Sequence, residues 1–124
     1  EANTMIDMAK TEIAPAVSAY VLELANTAAA KKAVDASVSC NYETGLLKKL
    51  ARLEDQIAIK ADELEEAVMK LQDAGDIEAE SYMIRDVVLS KMGELRVACD
   101  EAETMTAKKY WPFPTYGDLL FGVK

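Results

Sequence analysis

The sequence predicts an all-α protein, an antiparallel bundle of three long helices followed by an aromatic and proline-rich tail with a short terminal helix. Three long segments place apolar residues at intervals of three and four, which is the period of an α-helix. The 124 residues include only five Gly and three Pro, too few for an all-β architecture with many turns. A chain of this length forms one domain. We therefore predict a single helical domain over residues 1–124, with a bundle over 1–109 and a docking tail over 110–124.

The first predicted helix carries one apolar stripe, formed by Ile6, Ala9, Ile13, Val17, Tyr20 and Leu24. Pro15 lies inside this stripe. Because proline lacks an amide donor and clashes with the preceding turn, we expect a kink near Thr11–Pro15. After Leu24 the stripe gives way to alanines, which favour helix but bury little surface. The first turn is predicted at residues 37–41, which are poor helix formers.

The second predicted helix has the clearest pattern, with a heptad seam of Leu50, Ile57, Leu64 and Leu71. Asn41 or Thr44 is expected to cap its start, because a short side-chain oxygen satisfies free amides there. Gly75 is suited to the left-handed position after its last turn. Only a few residues separate it from the third helix, so the two are predicted to form an antiparallel hairpin.

The third predicted helix runs over about 77–109 and also carries an apolar stripe. The stripe consists of Ile84, Val88, Leu95, Ala98, Ala102 and Met105, widened by Met83, Val87, Met92 and Cys99. Lys108 and Lys109 are placed where cations complement the C-terminal end of the helix dipole. The methionines near the stripes are expected to be core residues rather than the lining of a promiscuous groove.

Composition excludes several classes of function. The formal charge of −8 argues against nucleic acid, whose phosphates require a basic face. The absence of His excludes Ser-His and Cys-His catalysis and His-ligated zinc. No run approaches the ~18 continuous apolar residues of a membrane span, and we expect no membrane partner. Cys40 and Cys99 are expected to be two reduced, mostly buried thiols of a cytoplasmic protein.

One cluster of carboxylates is a candidate metal or acid–base site. It consists of Asp62, Glu63, Glu65 and Glu66. A hard-metal site needs oxygens that converge from different elements. Leu64 and Val68 face the seam, so the neighbouring carboxylates are expected to form a solvated face with a minor Glu66–Lys70 pair. The glycines form no phosphate-binding cluster. We therefore predict no catalytic, cofactor-binding or metal-binding residue in this chain.

The tail is compositionally distinct, because five of the eight aromatic residues lie among its last fifteen: Tyr110, Trp111, Phe113, Tyr116 and Phe121. Pro112 and Pro114 favour extended backbone before them, and residues 115–118 resemble a capping box before a short terminal helix. The rings could clasp the end of their own bundle or dock as a strap onto another domain or subunit. We favour the clasp, because the prolines turn the chain back toward the bundle.

The segment 110–121 resembles the C-terminal signature of type III glutamine synthetases, the large-subunit class of Bacteroides-like bacteria. Residues 85–89 with 94–96, and the opening 5–11, also resemble that family. The resemblance implies the helical C-terminal domain of an enzyme that makes glutamine from glutamate, ammonia and ATP with Mg or Mn. It also implies a cytoplasmic dodecamer, in which the catalytic domain and neighbouring subunits are this domain's partners. The family's ligand-binding residues belong to an upstream catalytic domain, so none transfers to this chain.

This interpretation predicts a structural or assembly role within a longer enzyme, and the start at Glu1 in mid-pattern favours such a fragment. The alternative is a free-standing helical adaptor that binds partners through its seam or tail. The codons upstream of Glu1 distinguish the two, because an adaptor would have a start codon there.

Overall fold

The computed structural model describes residues 1–74 and 78–114, with side chains described for all of these except 78–80. These described residues form four α-helices: α1 (Ala2–Met8), α2 (Ala14–Val34), α3 (Asn41–Ala74) and α4 (Glu78–Met105). A π turn (Ala9–Ile13) joins α1 to α2, and a 3-10 turn (Lys108–Tyr110) follows α4. No strand occurs in the described ranges. The predicted all-α bundle of three long helical segments is therefore confirmed.

The irregularity predicted at Pro15 is a π turn immediately before that proline. The amide of Ala14 donates to the carbonyl of Ala9, five residues earlier, and Pro15 stands in the first turn of α2. A missing amide costs least in a first turn, where amides lack an intrahelical partner. The π turn therefore accommodates Pro15, and α1 continues into α2 without an intervening loop.

The turn between α2 and α3 is built from short polar side chains. The Asp35 carboxylate accepts from the Ser37 amide at 2.9 Å and from its hydroxyl at 2.7 Å. The Ser39 hydroxyl then accepts from the Asn41 amide at 3.3 Å. The prediction that Asn41 or Thr44 caps α3 was wrong, because both already lie inside the helix. Ser39, two residues before its start, supplies the oxygen instead.

Helix α4 ends at Met105, earlier than predicted. The amide and the hydroxyl of Thr106 both donate to the Ala102 carbonyl, at 2.9 and 2.8 Å, and the backbone of Ala107 is extended. A threonine that bonds back to its own helix competes with the next helical turn. Lys108 and Lys109 therefore lie in the 3-10 turn, and their predicted position in the last turn of α4 was wrong. The predicted Gly75 cap lies outside the described residues.

Helix α3 is the common partner of the other helices, because it packs against α1, α2 and α4. Leu50, Ile57 and Leu64 of its seam are completely buried, and Leu71 is partly buried against the same core. The stripes predicted for the first and third helices supply most of the remaining core: Ile6, Ala9, Ile13, Val17, Tyr20, Leu24, Val88, Leu95, Ala98 and Ala102. Met83 and Val87 are exposed, so the prediction that they widen the α4 stripe was wrong.

The molecule divides into two regions that differ in burial. In the bundle body (residues 2–24, 50–74 and 78–105) three helical segments share one apolar core. In the hairpin tip (residues 25–49) only Cys40 and Glu43 are buried. The chain that follows α4 returns to α2 at Tyr20 and Glu23, so the rest of α2 extends beyond it. The tip is therefore a hairpin of two helices that projects from a three-helix body.

The helical segment Ala2–Val34 is long and apolar enough to cross a membrane by length and composition, although no uninterrupted apolar run exists in it. Only 22% of its most apolar window is buried inside the protein. The buried part is the stripe that packs against α3, and alanine contributes much of the remainder. A single such helix near the start of a sequence is weak evidence for a membrane role.

Candidate functional site

The carboxylate cluster on α3 is held in ion pairs that join helices. Lys10, in the π turn, places its Nζ 2.9 Å from Asp62 Oδ1 and 3.0 Å from Glu65 Oε1. These two hydrogen bonds raise the pKa of the Lys10 ammonium above its ordinary value. Two of the four carboxylates therefore fasten the first helical segment to α3.

A second network joins α3 to α4 through two lysines and two glutamates. Lys91 Nζ lies 3.1 Å from Glu63 Oε1, and Lys60 Nζ lies 2.9 Å from Glu94 Oε1. The remaining two separations, Lys60 to Glu63 and Lys91 to Glu94, are 3.5 and 3.7 Å. The bond from Lys91 lowers the pKa of Glu63, and the bond from Lys60 lowers that of Glu94. This square of alternating charges joins the two helices of the hairpin at their surface.

Asp62, Glu65 and Glu66 are exposed, as the predicted solvated face requires, but three of the four carboxylates also form ion pairs with other helical segments, which was not predicted. The predicted Glu66–Lys70 pair is present, with 3.8 Å between Nζ and Oε1. The other three carboxylates are neutralised by cations from distant parts of the sequence, which spacing along one helix could not show. Within residues 1–74 and 78–114, no group of three or more Cys, Asp or Glu side chains is arranged to hold a metal ion.

The start of the aromatic tail packs against α2. The Tyr110 ring lies 5.6 Å from the Tyr20 ring, centroid to centroid, and its hydroxyl donates to Glu23 Oε1 at 2.7 Å. Lys109 Nζ lies 2.9 Å from the same Glu23 oxygen and 5.2 Å from the centre of the Tyr110 ring. The bonds from Lys109 and Tyr110 lower the pKa of Glu23. Glu23 therefore anchors the chain that leaves α4.

The next two aromatic rings of the tail also pack against the bundle. Trp111 and Phe113 are partly buried and pack against the core of the bundle. The structure thus favours the internal clasp for residues 110–113. The predicted capping box and the terminal residues Leu119, Leu120 and Phe121 lie outside the described residues.

A partly buried ion pair in the hairpin tip was not anticipated from the sequence. Glu43 is 6% exposed, and its Oε2 lies 2.7 Å from Lys31 Nζ. Its Oε1 is buried without a hydrogen-bond partner in the described structure. The bond from Lys31 lowers the pKa of Glu43. The sequence did contain a signal for this pair. Glu43 lies in the first turn of α3, and Lys31 and Lys32 lie in the last turn of α2, the helix that precedes it.

Both cysteines are free thiols, as predicted. Cys40 is buried in the tip, and its Sγ donates to the Ala28 carbonyl at 3.4 Å. Cys99 is partly buried in the body, and burial raises its pKa to about 11. A thiol that remains protonated is a poor nucleophile and metal ligand, so neither the geometry nor the chemistry of Cys99 indicates a reactive site.

The whole chain is similar in sequence to part of a known protein. It is 31% identical along its full length to a glutamine synthetase of Butyrivibrio fibrisolvens, and it spans 18% of that protein. No family model and no solved structure matches it. The similarity confirms the resemblance to glutamine synthetase that the sequence predicted.

Proposed function

We propose that this chain is the C-terminal helical domain of a glutamine synthetase and has a structural or assembly role without an active site of its own. The observation that carries the proposal is the sequence similarity to the Butyrivibrio fibrisolvens protein. It covers the whole of this chain and only 18% of that relative. A relative of that length has room for a catalytic domain outside the matching segment. The ligation of ammonia to glutamate, with ATP and Mg or Mn, is assigned to that domain by resemblance.

The side-chain arrangement supports a scaffold rather than a catalyst. The conspicuous carboxylates are bound to Lys10, Lys60 and Lys91, whereas acid–base or metal chemistry needs carboxylates that face a substrate cleft. The same pairs join all three helical segments. The proposed partners are accordingly the catalytic domain and neighbouring subunits of a cytoplasmic homo-oligomer, expected to be a dodecamer.

The test begins with the open reading frame upstream of Glu1 and continues with two proteins, the full-length parent and a parent that lacks residues 1–124. We expect the shortened protein to assemble with fewer subunits than the full-length parent, as counted by native mass spectrometry. The 124-residue chain alone should form no glutamine from glutamate, ammonia, ATP and Mg. Metal-dependent glutamine formation by that chain would contradict the proposal, as would a shortened parent with an unchanged number of subunits and unchanged activity.

The alternative function is a free-standing adaptor, and one observation favours it. Helix α4 exposes large apolar side chains, including Met83, Leu89 and Val97, which an adaptor would use to bind a partner. A start codon directly before Glu1, with no catalytic domain in the frame, would establish this alternative.

A further inference from the structure

The hairpin tip contains few groups that hold its two helices together. Cys40 and Glu43 are its buried residues. Its helices meet through the Lys31–Glu43 ion pair at 2.7 Å and through the bond from the Cys40 thiol to the Ala28 carbonyl at 3.4 Å. A region with few buried apolar side chains opens locally at a lower free energy than a packed core. We therefore expect the tip to open more readily than the body.

Tyrosines from three segments meet where the tail reaches α2. Tyr20 belongs to α2, Tyr42 to the first turn of α3, and Tyr110 to the 3-10 turn after α4. The Tyr110 ring lies 5.6 Å from the Tyr20 ring, at a tilt of 35°. Burial, and after it hydrogen bonding to Tyr42, raises the pKa of the Tyr20 hydroxyl. These three side chains, which we call the tyrosine junction, join the tail to α2 and α2 to the start of α3.

Glu23 holds the tail at the tyrosine junction. Its Oε1 accepts a hydrogen bond from the Tyr110 hydroxyl at 2.7 Å and lies 2.9 Å from Lys109 Nζ. Hydrogen bonds to an ionised carboxylate are stronger than bonds between neutral groups. Glu23 therefore fixes the position of the Tyr110 ring against Tyr20.

A groove beside the junction extends along α2 into the tip. It has a volume of about 430 Å³, and its lining includes Tyr110 together with Ala19, Asn26, Thr27 and Ala30 of α2. Ala19 belongs to the body, whereas the other three α2 residues belong to the tip. Tyr110 thus borders both parts of α2, and its position affects the helix on each side of the boundary.

We infer that the chain after α4 is a latch on the hairpin tip: while Glu23 holds Tyr110, Tyr20 stays fixed against Tyr42 and the two helices of the tip stay together. When Tyr110 leaves, Tyr20 loses the ring that packs against it, and the tip opens more often. Coupling between two sites is reciprocal, so opening of the tip also weakens the docking of the tail. This inference does not depend on the proposed function.

The test measures hydrogen exchange of individual amides by NMR in the 124-residue chain under native conditions. Tyr110→Phe removes the hydroxyl that binds Glu23. We expect the amides of the tip helices, residues 28–34 and 45–49, to exchange about threefold faster in this variant, because one hydrogen bond is lost. Loss of that bond accelerates local opening only if the bond must break for the tip to open.

Two control variants separate the latch from other causes. Tyr82→Phe removes a hydroxyl from an exposed tyrosine of α4 and should leave tip exchange at the wild-type rate. Ile57→Val lowers the stability of the whole domain by about 1 kcal/mol, because Ile57 is completely buried in the body. It should also leave tip exchange unchanged. Unchanged tip exchange in Tyr110→Phe would overturn the inference, as would equal acceleration in Tyr110→Phe and Ile57→Val.

The reciprocal measurement starts from the tip and follows the tail. Tyr42→Phe removes the hydroxyl that interacts with Tyr20. The amides of Tyr110 and Trp111, which donate to the carbonyls of Ala107 and Lys108, report release of the tail. We expect both amides to exchange about threefold faster in Tyr42→Phe and at the wild-type rate in Tyr82→Phe. Wild-type exchange of these amides in Tyr42→Phe would contradict the latch.

Discussion

The bundle body and the hairpin tip use the same two helices, α2 and α3, in different ways. In the body, residues such as Val17 and Leu64 are completely buried between three helical segments. In the tip, α2 is rich in alanine and only Cys40 and Glu43 are buried. The tip has few buried apolar side chains. It is stabilised instead by the hydrogen-bonded ion pair between Lys31 and Glu43 and by the high helix propensity of alanine. A helix can thus remain continuous while the interactions that stabilise it change along its length.

The largest expected effect lies in the body and comes from Ile57→Ala. Ile57 is completely buried in the seam, and its truncation should lower the free energy of unfolding by about 3 kcal/mol, as for other buried isoleucines. Ile59→Ala is the matched control, because Ile59 lies two residues away and is 48% exposed. It should change stability by less than about 0.5 kcal/mol. Urea unfolding followed by circular dichroism measures both, and equal effects would contradict the assigned seam.

The second effect concerns the tail that borders the two regions. Trp111 is partly buried against the core, so Trp111→Ala should cost about 2 kcal/mol, less than the usual cost for a completely buried large aromatic. Its fluorescence should be blue-shifted and partly shielded from quenchers. Solvent-like emission together with an unchanged melting temperature would show that the tail is a strap for another domain rather than a clasp.

The third effect tests whether the tip depends on its ion pair. Because the pKa of Glu43 is lowered by Lys31, the pair contributes stability above the ordinary carboxyl pKa of 4.5 and loses it as the pH falls through the lowered value. Glu43→Gln should therefore be less stable than the wild type at neutral pH, and the difference should narrow in acid. Urea midpoints measured across this range give the result.

Asp55→Asn, an exposed carboxyl on the same helix, is the control for Glu43→Gln. It should change the free energy of unfolding at neutral pH by less than about 0.5 kcal/mol, because an exposed side chain contributes little. A difference between Glu43→Gln and the wild type that stays constant from neutral pH to about pH 2 would contradict the assigned ion pair.

The smallest effect belongs to the square of charges between α3 and α4. Lys60→Met removes one corner, but its partners are partly exposed, and exposed ion pairs contribute little. We expect a slight loss of stability at low ionic strength that disappears near 1 M salt, where the screening length is about 3 Å. Lys48→Met, at an exposed lysine without an ion pair in the described structure, should show no salt-dependent loss.

The sequence predicted the body well because its fold depends on apolar periodicity, which is a local property. The seam of Leu50, Ile57 and Leu64 was found from spacing alone, and the dilution into alanine after Leu24 indicated where burial would fall. It failed for Met83 and Val87, because an apolar residue beside a stripe is buried only when another helix covers that side. Periodicity along one helix cannot show how many neighbours that helix has.

The roles of the charged residues were harder to predict for a related reason. The partners of Glu63 and Asp62 are Lys91 and Lys10, which approach only after three helical segments have packed. Glu66–Lys70 was predicted because its two members are neighbours on one helix. Similarly, the cap at Ser39 depends on the loop conformation set by Asp35, and helix propensity alone could not locate it.

The two free thiols make the unmodified chain a reporter of its own motions. Cys40 bridges the two helices of the tip through its contact with Ala28, and Cys99 belongs to the body. With a pKa of about 11, roughly one Cys99 thiol in a thousand is ionised at about pH 8 in the native protein. Exposure to bulk water would raise that fraction, so openings of the body accelerate alkylation at position 99, which is partly exposed even without them, while alkylation at position 40, where the thiol is buried, follows openings of the tip. Each of the two regions thus contains one thiol whose rate of alkylation can be measured without any substitution.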